Sequence, residues 1–331
     1  MKNLIRLLAV LMIPVLALTS CKEDNNNPGL QEFETLTSYM AQNDLDLSNV
    51  LDGWVKAATT DIVDPADNSI PGFFVMDIRS SDQFELGHIP GAVNVAVADA
   101  LTVAETAGKP ILVVCYTGQT AARVTGLLRL MNHEAYSLKW GMAGWNPYFE
   151  DKWISNAGDF DTPNWVLTGD PTPKAEFGEP IINTGETTGA EILRARVMAA
   201  LQNTSWGISK TDVLGNPGNY FLNNMWPITS WDEFGHISGA YRLNEDLSIA
   251  GLRYLNPDKE IVTYCYTGQT SSIISAWLDV LGYKSRSLLF GANGIVHSKM
   301  VNSDVDSAKK KSWQGEGSGS GNSFQYATGP N

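Results

Sequence analysis

The chain has 331 residues, with 23 Lys or Arg against 36 Asp or Glu, for a net charge of −13. A surface this acidic repels phosphate backbones and argues against nucleic acid as a partner. Hydrophobic residues make up 43 %, enough for two packed cores, and the three cysteines are few enough that each needs its own account.

Lys2 and Arg6 precede an apolar segment, Leu7–Leu18, which is shorter than the ~20 residues that a spanning helix requires. It ends in Leu18-Thr19-Ser20-Cys21, which resembles the bacterial lipobox. The resemblance implies a lipoprotein signal peptide over 1–20, lipid on Cys21 and a tether over 21–34. The protein would then sit at the cell envelope as an outer-membrane lipoprotein, periplasmic or surface-facing. Its membrane contact would be through the lipid anchor only. Cleavage would remove Lys2 and Arg6 and no acid, taking the net charge from −13 to −15.

A first module is expected over 35–150. It opens with a helix around Ser48–Ala58, followed by strands at Phe73–Met76, Val93–Val97 and Ile111–Val114. A helix over Thr120–Met131 and a strand over Ala135–Leu138 follow. Strands alternating with helices predict an α/β fold, a parallel sheet with helices on both faces. Residues 151–185, rich in Gly, Pro, Thr and Asp, read as a linker. Thr188-Gly189-Ala190-Glu191 has capping-box spacing and opens a second module over 186–300. Residues 301–331 contain Lys309-Lys310-Lys311 and a Gly/Ser run and read as a flexible tail with a solvated charge run.

The two modules are copies. Cys-Tyr-Thr-Gly-Gln-Thr occurs at Cys115–Thr120 and again at Cys265–Thr270, and Lys109–Gly144 aligns without a gap on Lys259–Gly294. Gly87–Ala92 matches Gly235–Ala240, the second copy having lost two residues just before. Each cysteine ends an apolar strand and precedes a helix, where backbone N–H groups and the helix dipole favour a thiolate. Cys115 and Cys265 end equivalent strands of different modules and are expected to remain free thiols.

Val75-Met76-Asp77-Ile78-Arg79, the stretch Phe84–Asn94, the loop Cys115–Gly126 and Gly141–Trp145 together resemble the rhodanese-like sulfurtransferases. The second copy matches from Asp232 to Gly294. The resemblance implies two tandem rhodanese-like domains without a cofactor. Cys115 and Cys265 would be the nucleophiles, taking a sulfane sulfur from a small donor and passing it to a thiol or cyanide. Tyr116, Thr117, Gly118, Gln119 and Thr120, with Tyr266, Thr267, Gly268, Gln269 and Thr270, would cradle the anionic sulfur through their N–H groups. Gly118 and Gly268 would permit the tight curl.

The second copy lacks Asp-x-Arg, having Asn223-Asn224-Met225-Trp226-Pro227 there. In the family that pair is chiefly scaffolding. Both cysteine loops are neutral, so thiosulfate, a dianion, is expected to be a poorer donor than polysulfide. A related phosphatase would need arginine at the sixth position after the cysteine, where Ala121 and Ser271 stand. The alternative of a non-catalytic binding or sulfur-carrier module at the envelope stays open. His88 and His236 read as turn histidines that bond the scaffold, and no zinc spacing is present. Arg123, with Ile273 as its counterpart, and Trp140 and Trp145 are further candidates for the first pocket.

Overall fold

The computed structural model describes residues 27–315 and 321–330, with the side chains of 306 and 307 left aside. The expected signal peptide and the first part of the tether, residues 21–26 with Cys21, lie outside the described residues. Twelve strands are described: β1 (Val55–Lys56), β2 (Phe74–Asp77), β3 (Val93–Asn94), β4 (Ile111–Val114), β5 (Ala135–Leu138), β6 (Trp165–Val166), β7 (Gly207–Ile208), β8 (Tyr220–Asn224), β9 (His236–Ile237), β10 (Tyr241–Arg242), β11 (Glu260–Tyr264) and β12 (Ser285–Leu288). The first sheet has the order β1-β5-β4-β2-β3. The second has β7-β12-β11-β8-β10, the same order in equivalent strands, and every pair in both is parallel. Two α/β regions, each a five-stranded parallel sheet flanked by helices, form a tandem rhodanese-like arrangement.

Strand residues alternate between two cores, as the period of two requires. Met76 and Val113 from the first sheet, with Phe221 and Ile261 from the second, enter one large cluster that runs through both modules. Val75, Leu112 and Val114 face a separate core on the far side of the first sheet, and Leu222, Val262 and Tyr264 do the same in the second. The modules therefore share a core. At its centre the helix Gln119–Leu130 packs on its counterpart Gln269–Val280.

Four expectations need correction. The helix expected over Ser48–Ala58 is a single turn at Leu47–Val50, because the chain passes through a left-handed Gly53 and then joins the sheet edge as β1. The expected strand at 93–97 keeps only Val93–Asn94 before a 3-10 turn at Val97–Asp99. Part of the expected tether is structured: Pro28 at N1 and the Asn27 cap start a helix to Gln42 that buries Phe33, Leu36 and Met40. Its Glu32 carboxylate accepts from Thr184 N at 2.7 Å, which ties it to the segment before the second module.

The last correction concerns the linker and the tail, which act as straps. After the first module, Gly158 N and Phe160 N donate to Asn293 O and Ile295 O, and β6 pairs antiparallel with β9 of the second module. After the second module, the chain returns to the first. Asn322 N and Phe324 N donate to Gly144 O and Trp145 O, and Ala327 bridges His88. Gly144, Trp145 and His88 are the counterparts of Gly294, Ile295 and His236, so each module is strapped by chain that follows the other. Aromatic burial holds the tail down: Trp313 is 3 % exposed among Trp140 and Trp153, and Tyr326 packs against Phe149.

Candidate active site

Each cysteine ends the central strand of its sheet, β4 or β11, and lies at the foot of the helix that starts at Gln119 or Gln269. Gly118 (φ +81°) and Gly268 (φ +76°) take the left-handed conformation that the curl requires. A second turn pins each loop from above. Met142 N donates to Cys115 O at 2.8 Å, and Ala292 N to Cys265 O at 3.0 Å. A Cβ on Gly141 would stand 2.3 Å from Cys115 O, and one on Gly291 2.1 Å from Cys265 O. The close approach explains glycine at both positions.

The sulfurs are enclosed, with Cys115 at 5 % exposure and Cys265 at 3 %, and both are free thiols. Ala121 N points at Cys115 Sγ at 3.3 Å and Ser271 N at Cys265 Sγ at 3.4 Å. These donors are one residue beyond the range expected from the sequence. In the sequence this position signals only the missing arginine, yet the sixth residue after a loop cysteine is where the first helical turn brings an unpaired N–H back over the sulfur. Burial pushes the Cys115 thiol up. The N–H groups of Ala121, Thr117 and Gly118 oppose that, while the Asp77 carboxylate adds to it. In the second module the Cys265 thiol donates to Ser271 Oγ at 3.4 Å, and Ser271 Oγ lies 2.7 Å from Ser287 Oγ.

The other loop residues fall into two groups. Thr117, Gln119, Tyr266, Thr267 and Gln269 are buried, whereas Tyr116, Thr120 and Thr270 are half-buried. Tyr116 lines a cavity of about 330 Å³ together with Tyr148, Phe149, Leu86, Gln83 and Lys152. Tyr266 is closed in: its hydroxyl donates to Ser230 Oγ at 2.6 Å, and its ring stacks on Trp226 at 5.3 Å. The glutamines cross between modules. Gln269 Nε2 donates to Thr117 O at 3.3 Å, and Gln119 Oε1 accepts from Phe290 N at 2.7 Å.

Asp77 and Arg79 form a buried ion pair at 2.6 Å, and Arg79 Nη2 also donates to Gly87 O, so the pair serves the scaffold. Arg123 does not reach a pocket. It pairs with Asp279 of the other module at 2.6 Å and donates to Ala200 O. Trp140 and Trp145 are buried in cores. His88 stacks on Phe84 with Nδ1 at 2.9 Å from Phe84 O, and His236 stacks on Trp231. Lys309, Lys310 and Lys311 are exposed, but Lys311 Nζ stands 4.7 Å from the Tyr266 ring centroid. A cation thus stands near each loop tyrosine, Lys152 in the Tyr116 cavity and Lys311 over Tyr266, and weakens the neutral-loop argument about thiosulfate in both modules. Among the described residues, no group of acids, histidines and cysteines could hold a metal, and no helix is long and apolar enough to cross a membrane.

Residues 62–147 match the family model of the rhodanese-like domain. Two curated relatives are tRNA sulfurtransferases. The one from Pyrobaculum aerophilum is 28 % identical over 109 residues, which is 32 % of this chain and 22 % of the relative. The one from Thermoplasma acidophilum is 37 % identical over 62 residues, 19 % of this chain and 13 % of the relative. The chain thus spans about a fifth or less of the length of these relatives. Among solved structures, a thiosulfate sulfurtransferase from Pseudomonas aeruginosa is similar at 17 % identity, covering 81 % of this chain and 47 % of that one, with a TM-score of 0.25. A 3-mercaptopyruvate sulfurtransferase from Leishmania major is similar at 13 % identity, covering 73 % and 75 %, also with a TM-score of 0.25. The chain has a tandem rhodanese-like fold and is similar to proteins of the sulfurtransferase superfamily.

Proposed function

We propose that the protein is a sulfurtransferase that carries sulfur as a persulfide on Cys115, Cys265 or both. The observation that carries this reading is the placement of each free thiol at a central strand end with a helix N-terminal N–H aimed at the sulfur. The thiolate attacks the sulfane sulfur of a donor, a new S–S bond forms, and the donor's bond to that sulfur breaks with its electron pair leaving on the donor. A thiol or cyanide acceptor then takes the outer sulfur, and the cysteine thiolate returns. N–H groups at the helix start suit both the thiolate and the persulfide anion. Mass spectrometry after incubation with polysulfide tests this. A gain of one sulfur atom on the peptide of Cys115 or Cys265, lost on adding cyanide, is expected, and no gain on either peptide would end the proposal.

One observation favours a second reading, a sulfur carrier that turns over slowly or not at all. Both sulfurs are nearly closed off, and the Cys115 thiol is pushed up by burial. A carrier would gain the sulfur adduct but release it to acceptors at a small fraction of the loading rate.

The proposal also places the protein at the cell envelope, anchored by lipid on Cys21. The apolar Leu7–Leu18 and the ending Leu18-Thr19-Ser20-Cys21 support it. Fatty-acid labelling that persists after Cys21→Ala would overturn it.

A further inference from the structure

Gln269 is the first residue of the helix that serves Cys265, yet its side chain serves the other module. It is 3 % exposed, and its Nε2 donates to the Thr117 carbonyl at 3.3 Å. That carbonyl belongs to the same peptide unit as the Gly118 N–H, one of the groups that favour the Cys115 thiolate. A donor on the carbonyl oxygen fixes the plane of the peptide and polarises its N–H, because hydrogen bonds in series strengthen one another. The Thr117 side chain is held separately, its Oγ1 accepting from Gln119 Nε2 at 3.1 Å. The Gln269 amide also fills the space beside left-handed Gly118, where a Cβ would stand 2.9 Å from Gln269 Cδ. The reciprocal glutamine differs. Gln119 Oε1 accepts from Phe290 N, outside the Cys265 loop. Both glutamines pack beside the left-handed glycine of the other loop, a Cβ on Gly268 standing 2.3 Å from Gln119 Oε1, but only Gln269 hydrogen-bonds a peptide of the opposite cysteine loop.

We propose that Gln269 is a positioning residue for Cys115, so that the second module sets the reactivity of the thiol in the first through the Thr117–Gly118 peptide. The bond joins the two cysteine loops into one hydrogen-bonded unit. The Gln269 backbone N–H is itself capped by Thr267 Oγ1 at 3.1 Å, within the loop that carries Cys265. A change in the Cys265 loop is thereby passed to the Cys115 thiolate. This rests on Cys115 as the reactive thiol of the proposed reaction, but its test does not need sulfur transfer.

The test is the rate of alkylation of Cys115 by iodoacetamide as a function of pH, in full-length protein carrying Cys265→Ser, with and without Gln269→Met. Methionine keeps the length and bulk of glutamine and removes the donor. The expected result is a midpoint about half a pH unit higher in the methionine variant. A purely structural role gives the opposite sign, because looser packing admits water to a buried thiol and lowers its midpoint. An unchanged or lowered midpoint would overturn the proposal. Gln269→Leu provides a second variant in case the first fails to fold: its side chain cannot donate and carries no charge, so the midpoint should also rise. Persulfide loading on Cys115 is measured in parallel with its Cys265→Ser parent. Loss of loading in the parent with the midpoint shift intact would remove the functional reading and leave the positioning role. Normal loading with no shift would do the reverse.

Discussion

Under Tyr116 in the first module lie Asp77 and Arg79; under Tyr266 in the second lie Asn224 and Trp226. The strand registers make Asp77 and Asn224 equivalent, since they pair with Val114 and Tyr264. Asp77 Oδ1 accepts from Arg79 N at 3.1 Å, and Asn224 Oδ1 accepts from Trp226 N at 2.8 Å. The same cap closes the same strand end in both. Above it, the Arg79 guanidinium lies 5.1 Å from the Tyr116 ring centroid and the Trp226 ring 5.3 Å from that of Tyr266. Cation–π contact has been exchanged for ring stacking at one place in the fold. The common requirements are an oxygen for the cap and a flat group under the loop tyrosine. Charge is dispensable to the scaffold, but it is felt at the sulfur, since Asp77 acts on Cys115.

The largest effect should come from the thiols themselves. Cys115→Ser and Cys265→Ser should each leave partial sulfur transfer and the double variant none, measured by cyanide-dependent thiocyanate formation. Full activity in the double variant would exclude cysteine chemistry. Next comes the buried ion pair. Arg79→Ala strands the Asp77 carboxylate, which is fully buried, and should cost about 3–5 kcal/mol in urea unfolding. The double variant Asp77→Asn with Arg79→Trp installs the second module's solution and should recover most of that. If it is no better than Arg79→Ala, the equivalence of the two pairs is wrong.

The repeat, the parallel α/β class of both modules and the position of both cysteines were legible in the sequence, because they depend on local patterns: apolar strands, Gly118 and Gly268 at the curl, and the Thr188 cap. The straps were not. Residues 158–166 and 321–329 carry few apolar residues, and their bonds are to backbone of the other module, which no periodicity records. Asn224-x-Trp226 does not resemble Asp-x-Arg in sequence because what the two share is geometric, an Oδ1 cap and a flat group under the loop tyrosine. The crossing of Gln269 was hidden for the same reason, since two identical hexapeptides gave no hint that their glutamines have different partners.

A smaller difference separates the turn histidines. Burial lowers His236 to about 4, with Asp232 opposing, and its Nδ1 is buried without a hydrogen-bond partner. The fold therefore favours the neutral ring. This contribution is complete above the unfolded value near 6.5 and is lost as pH falls through about 4. Between those limits stability should fall by about 2–3 kcal/mol from this group. His236→Phe, which keeps the stack on Trp231, should flatten that part of the stability–pH curve. An unchanged acid slope would show that other groups set it.

The smallest expected effect lies immediately behind the sulfurs. Cys265 has the hydroxyls of Ser271 and Ser287 in a connected pair, whereas Cys115 has Ala121 at the position of Ser271. A hydroxyl that accepts from the thiol can turn to donate to the thiolate, so it can serve both protonation states. A methyl group can do neither and only adds to desolvation, which already pushes the Cys115 thiol up. Ala121→Ser should therefore lower the alkylation midpoint of Cys115 by a few tenths of a pH unit, and Ser271→Ala should raise that of Cys265 by a similar amount. The Ala121 side chain is wholly buried, so some stability should be lost in the first exchange through overpacking, on the order of 1 kcal/mol. Because Ser137, the counterpart of Ser287, is already present behind Ala121 with its Oγ on Gly118 O at 3.4 Å, the new hydroxyl has a partner waiting. If both midpoints stay where they are, the serines behind Cys265 serve packing alone.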